Sequence, residues 1–177
     1  MVNVSSRAHR LCGFNFDDPN YEKRTYDKDL AYAESKSGSI LFTVALDRYG
    51  QKYGVRAFAV HPGMVPHAGG VVGTMLFKMF AGFAVKKMKD ENGKPIKGSK
   101  PFFKSVPQGA ATAVWCAVSL QLDGMGGLYC EDCDIAQAVS AVSTSEKGVR
   151  PWATDMGLSA RFWELCEKYC EIARSIG

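Results

Sequence analysis

The sequence predicts an α/β fold, with a parallel sheet of about three strands and flanking helices, from three neighbouring features. Val2–Ser5 is a short apolar-polar stretch of strand character. Leu30–Tyr53 places Ile40, Leu41, Val44, Ala45 and Leu46 near the helical period, as a long amphipathic helix does. Gly54 stops that helix, and Val55–Val60 is a compact apolar run ended by Pro62-Gly63. Strand, long helix and strand in this order predict one right-handed crossover between parallel neighbours.

The remaining elements follow in order. Residues 7–29 are polar and aromatic, with a turn at Asp17-Asp18-Pro19-Asn20. Residues 66–85 are apolar and glycine-rich, and His67, Lys78 and the glycines argue against a membrane span. Lys86, Lys87 and Lys89 follow directly, which leaves an interfacial helix as one reading. The preferred one makes 66–104 a substrate lid over an apolar pocket, with adaptable methionine and phenylalanine side chains such as Met75, Phe77 and Phe80. The second part of this region is a charged loop with an Asn92-Gly93 turn. Pro107–Leu120 reads as a helix with Ala110, Ala113, Val114 and Ala117 on its buried face. Gly126–Cys130 is the third strand, and Ser159–Ile176 is a terminal helix with Phe162, Leu165, Tyr169 and Ile172 on one side. No repeat or linker divides residues 1–177, which read as a single domain.

A net charge of +4 without a basic run or interleaved aromatics gives no reason to expect nucleic acid. Six cysteines in a chain without a signal peptide read as reduced thiols in the cytoplasm. Cys130 and Cys133 have the spacing of metal ligands, and Cys166 and Cys170 share a helix face, yet structural thiols and no metal are the reading adopted.

Tyr32 and Lys36 stand four apart on the long helix, where an ammonium beside a phenol favours the phenolate. Such a pair can exchange protons at working pH. Asn3-Val4-Ser5-Ser6 lies upstream, and Gly54-Val55-Arg56-Ala57-Phe58-Ala59-Val60-His61-Pro62-Gly63 follows. Gly126-Gly127-Leu128-Tyr129-Cys130-Glu131-Asp132-Cys133-Asp134-Ile135-Ala136 and Gly148-Val149-Arg150-Pro151-Trp152-Ala153 complete the set. In this order the motifs resemble the C-terminal half of a short-chain dehydrogenase/reductase, in the subgroup of retinol dehydrogenase-like and WW-domain oxidoreductase-like proteins.

The resemblance implies a truncated Rossmann-like sheet and a catalytic set of Ser6, Tyr32 and Lys36. In the family the serine holds the substrate oxygen and the tyrosine moves the proton. The lysine lowers the tyrosine pKa and binds the nicotinamide ribose. His61 is explained by the family pattern, and the role of His9 is open. Residual cofactor-side positions are Lys36, Pro62 and Gly63, whereas Met64 follows where the family has a threonine nearby. The family's catalytic asparagine and its Gly-rich strand-to-helix turn have no counterpart in the sequence.

These gains and losses predict a cofactor-independent acid-base enzyme of isomerase, cyclase or dehydratase type. Its substrate is an apolar small molecule held by Met64, His67, Met75, Phe77 and Phe80. The alternatives are an NAD- or NADP-dependent oxidoreductase, truncated or completed by another chain, and a non-catalytic interaction module. A homodimer through the first strand or the long helix is expected, because strand Val2–Ser5 forms a free edge and the face around Ile40, Leu41 and Val44 lacks the family's neighbouring helix.

Overall fold

The computed structural model describes residues 1–65 and 104–170. His67, Met75, Phe77, Phe80 and the rest of the expected lid up to residue 103 lie outside the described residues. Strand β1 (Val2–Val4) leads to helix α1 (Lys28–Gly50), strand β2 (Phe58–His61) and helix α2 (Val106–Val118). Strands β3 (Leu128–Glu131) and β4 (Asp134–Ile135) follow, then helices α3 (Pro151–Thr154) and α4 (Met156–Cys170). The sheet order is β1-β2-β3-β4, with β1, β2 and β3 mutually parallel and β4 antiparallel to β3.

Local chemistry sets the boundaries. Asp27 caps α1 by accepting from the Asp29 and Leu30 N–H groups. Past Gly50, the 3-10 turn Gln51–Tyr53 closes on Gly54 in the left-handed region, with φ 74°. The second strand starts at Phe58 rather than Val55, because the Asp47 carboxylate captures the segment before it. Asp47 accepts from Arg56 Nε at 2.9 Å, Arg56 Nη2 at 3.0 Å and the Ala57 N–H at 2.9 Å. Helix α2 opens on a reciprocal Ser105–Gln108 capping box.

Strand β4 was not expected. Its hairpin turns on Asp132 and Cys133, both left-handed with φ 55° and 56°, a conformation usually signalled by Asn-Gly or Asp-Gly. Cys130 is buried while Cys133 is exposed, so the two cysteines with metal-like spacing part company. Among the described residues no group of three His, Cys, Asp or Glu side chains is placed to hold a metal ion.

Side-chain alternation along the strands creates two cores. Ala59 and Tyr129 face α1 and α3, packing with Ile40, Val44, Val149 and Ala153. Phe58, Val60 and Cys130 face α2, packing with Cys116 and Leu122. Helix α2 is rotated from its expected orientation. Gly109, Thr112 and Cys116 are buried, while Ala110, Val114 and Ala117 are exposed. The stripe with i, i+3, i+7 spacing carries a threonine whose hydroxyl accepts the Cys133 N–H at 3.1 Å, so polarity on the page hid the packed face.

Ile40, Leu41 and Val44 correct the expectation of an uncovered helix face. They are 0%, 0% and 6% exposed, each burial being worth about 1.5–3 kcal/mol. The helix turns this side onto the sheet and its neighbouring helices rather than outward. Phe42 of α1 stacks on Trp163 of α4 at 5.5 Å. Ser35, Ser39 and Phe42 remain along an open groove of about 500 Å³, with Val4, Phe14 and Phe162 among its walls. It lies beside β1, which among the described residues pairs only with β2, and Val4 is exposed there. In α4, Tyr169 is also exposed rather than packed, and Ile172 lies outside the described residues.

Candidate active site

The two adjacent serines at the end of β1 have different surroundings. Ser5 is buried and its hydroxyl donates to the Lys36 carbonyl at 2.8 Å, stapling β1 to α1. Ser6 is extended and partly exposed, and its oxygen accepts the Ala8 N–H at 3.2 Å, capping the 3-10 turn Arg7–Arg10. The Ser6 hydroxyl keeps its own proton for another acceptor.

Tyr32 sits on the second turn of α1 and is 51% exposed. The Lys36 ammonium lies 5.5 Å from its ring centroid, and makes one long hydrogen bond, 3.4 Å, to the Val4 carbonyl. The i, i+4 spacing therefore does bring the pair together, with the ammonium against the ring. Between them, on the opposite helix face, Glu34 is buried and gripped by Arg24 at 2.6 and 2.7 Å and by the Tyr21 hydroxyl at 3.0 Å. Asp18 accepts the Glu22 and Lys23 N–H groups, completing a clamp that seats residues 18–24 on α1. Sequence reading missed this clamp, although Glu34 lies inside the Tyr32–Lys36 motif.

At the end of β2, Gly63 has φ 83°, and a Cβ there would stand 2.5 Å from the Lys104 Cδ. Only glycine fits. Met64 follows, its carbonyl accepting the Lys104 N–H at 2.9 Å. The described part of the expected substrate set is thus Met64 alone.

His9 has a structural role. Its Nε2 accepts the Arg150 N–H at 3.3 Å, so Nδ1 carries the proton and donates to the Ser6 carbonyl at 2.8 Å. Its backbone carbonyl accepts from Trp152 Nε1 at 2.8 Å, and its ring lies 4.7 Å from the Tyr129 ring. The distant Arg150-Pro151-Trp152 stretch thereby fixes the turn that presents Ser6. Burial, reinforced by Arg10 and Arg150, lowers the His9 pKa to about 4. The unfolded chain then binds this proton more readily than the folded one. Stability from His9 is complete above about 6.5 and disappears as pH falls through that window to about 4. The loss is about 3 kcal/mol by pH 4. Urea unfolding across this range should show that fall, and His9→Gln should flatten the slope.

No protein-family model matches the chain. Sequence comparison finds a Streptomyces lividans protein described as an oxidoreductase, 36% identical over 170 residues, covering 93% of this chain and 52% of the relative. The oxidoreductase CalI of Penicillium decumbens is 32% identical over 166 residues, and mouse retinol dehydrogenase 12 is 32% identical over 167 residues. Each match covers 93% of this chain and 46% of the relative. The chain is related to the short-chain dehydrogenase/reductases. It spans about half the length of the curated relatives it matches. An uncharacterised Mycobacterium paratuberculosis protein of known crystal structure superposes with a TM-score of 0.57 at 24% identity, covering 96% of this chain and 49% of that one. That likeness speaks for the fold.

The positions that the resemblance assigns to the cofactor side, Lys36, Pro62 and Gly63, all lie among the described residues. Lys36 has donors left over from its single long bond, whereas the Lys104 side chain packs over Gly63 at the end of β2. The spare Lys36 donors are of the kind that could hold ribose hydroxyls of a dinucleotide. Nothing among the described residues supplies a Gly-rich strand-to-helix turn for the pyrophosphate. Among the described residues, no helix is long and apolar enough to cross a membrane.

Proposed function

We propose that this chain carries the proton-transfer half of an NAD(P)-dependent short-chain oxidoreductase acting on an apolar alcohol and its carbonyl. The observation that carries the proposal is Lys36 lying against Tyr32 on α1, in a chain whose curated relatives are oxidoreductases. These relatives favour oxidoreductase chemistry over the cofactor-independent isomerase, cyclase or dehydratase expected from sequence, and NAD or NADP over no cofactor.

In this reading Ser6 donates its hydroxyl hydrogen to the substrate oxygen and orients it. Tyr32 takes the alcohol proton in oxidation, or gives a proton to the oxygen formed from a carbonyl in reduction. Lys36 lies against the Tyr32 ring and reaches the ribose. The bound nicotinamide supplies the hydride acceptor or donor at the substrate carbon. Gly63 and Met64 follow β2, and the Lys104 side chain now packed over the glycine would swing aside to admit the nicotinamide. Residues 66–103 contain the remaining candidates for substrate contact, His67, Met75, Phe77 and Phe80.

The test titrates the purified chain with NADPH and NADH, alone and mixed with the Gly-rich half of a relative. Micromolar cofactor binding and cofactor-dependent conversion of an apolar alcohol are expected in the mixture, and both weaken in Lys36→Met. Isomerisation or dehydration by the chain without any dinucleotide would overturn the proposal and return the acid-base reading.

A further inference from the structure

We propose that the C-terminal ends of β2 and β3 form an anion subsite centred on Arg7, which takes the carboxylate or a similar oxoanion of a small molecule. The β2–β3 register pairs Ala59 with Tyr129 and His61 with Glu131. Alternation then puts Tyr129, His61 and Glu131 on one face of the sheet, beneath α1. The turn Arg7–Arg10 closes this end, with His9 against the Tyr129 ring. In parallel sheets the carboxyl ends of the strands are where ligands bind.

Unmet hydrogen bonds converge here. Six buried side-chain nitrogen or oxygen atoms among the described residues have no partner, and five belong to this cluster: Nε of Arg7, Arg10 and Arg150, Nδ1 of His61 and the Tyr129 hydroxyl. Tyr129 is 2% exposed, so water outside the protein does not serve it. A buried polar group without a partner costs about 1–3 kcal/mol, and such groups call for an unseen water or ion. All five can donate a hydrogen, which suits an anion.

The charges agree with this. Arg10 is occupied by the Ser145 and Glu146 carbonyls, and Arg150 by those of Ser140 and Ser143. Lys104 and Lys147 both hold Asp132, and Glu131 accepts the Gly148 N–H at 2.7 Å. Arg7 makes no hydrogen bond or ion pair among the described residues. Its charge nevertheless reaches His61, Tyr129, Arg10 and Lys147. Glu131 on the same face offsets part of the charge of Arg7 and Arg10, and the positive charge left over favours an anion. Its planar fork suits a carboxylate. Because Arg7 follows Ser6 directly, the assignment of this anion to the substrate rests on the oxidoreductase reading. It makes the substrate an apolar molecule with an acidic group.

The experiment follows binding, not turnover. The chain in anion-poor buffer is titrated with acetate, hexanoate and octanoate, and separately with inorganic phosphate, by calorimetry and thermal melting. Saturable binding is expected, weakened about tenfold or more in Arg7→Gln and reduced in Tyr129→Phe. Arg7→Gln should also melt higher than the unaltered chain without anions, since a repulsion has gone. Affinity rising with alkyl length assigns the site to an acidic apolar substrate. Equal binding of acetate and phosphate, still Arg7-dependent, assigns it to a free inorganic anion and keeps the subsite. No saturable binding, or binding indifferent to Arg7→Gln, overturns it in favour of buried water. Tyr32→Phe must bind anions normally, which separates failure of the subsite from failure of the oxidoreductase reading.

Discussion

Replacing Tyr32 by phenylalanine is expected to reduce turnover by about two to four orders of magnitude, the range that a positioned general acid or base contributes. The same change should leave the fold alone. Tyr32 is 51% exposed, and its hydroxyl makes no hydrogen bond among the described residues, so stability should move by no more than about 0.5 kcal/mol. The contrast between a large kinetic and a negligible thermodynamic effect separates a reacting group from a packed aromatic. Turnover within threefold of the unaltered chain, measured under the complemented conditions described above, would remove Tyr32 from the chemistry. Lys36→Met should behave differently, losing cofactor affinity as well as turnover.

Asp47→Ala is expected to destabilise the chain by about 3–5 kcal/mol, the usual result of leaving one member of a largely buried ion pair behind. Asp47 is 6% exposed and holds the Arg56 guanidinium twice and the buried Ala57 N–H once. The variant strands a charge and a backbone donor at the entrance to β2, the strand that joins β1 to β3. Asp47→Asn keeps an acceptor and should lose less. The neighbouring Gly126→Ala tests the same spot by crowding, because its Cβ would fall 1.8 Å from the Asp47 Oδ1. Urea denaturation reads all three, and a change below 1 kcal/mol in Asp47→Ala would show that Arg56 relaxes into water.

The parallel core was legible because it is written in periodicity. Val2–Val4, Phe58–His61 and Leu128–Glu131 are strands within a few residues of their expected places, and the intervening helix runs through the expected segment. What sequence reading missed depends on partners distant in sequence or on unusual backbone. The Asp132-Cys133 turn adopts left-handed geometry without glycine, so β4 gave no signal. Arg56 was read as part of a strand, whereas Asp47 holds it outside one. At the site, the Tyr32–Lys36 spacing was visible in the sequence, while Ser6 came only from the family resemblance. The grip of Arg24 on Glu34 and the joining of His9 to Arg150 across 141 positions were not visible, since nothing local marks them.

Strand β1 pairs Val2 with Phe58, and Phe58 in turn pairs with Leu128. On the ribosome, at roughly 5–20 residues per second, β1 therefore waits roughly 3–11 s for β2 to be made. Helix α1 can form from local contacts during that delay, whereas the β1–β2 pairing cannot. Codon speed between Tyr53 and Phe58, and chaperone occupancy just before it, should govern how much of the protein reaches the folded state.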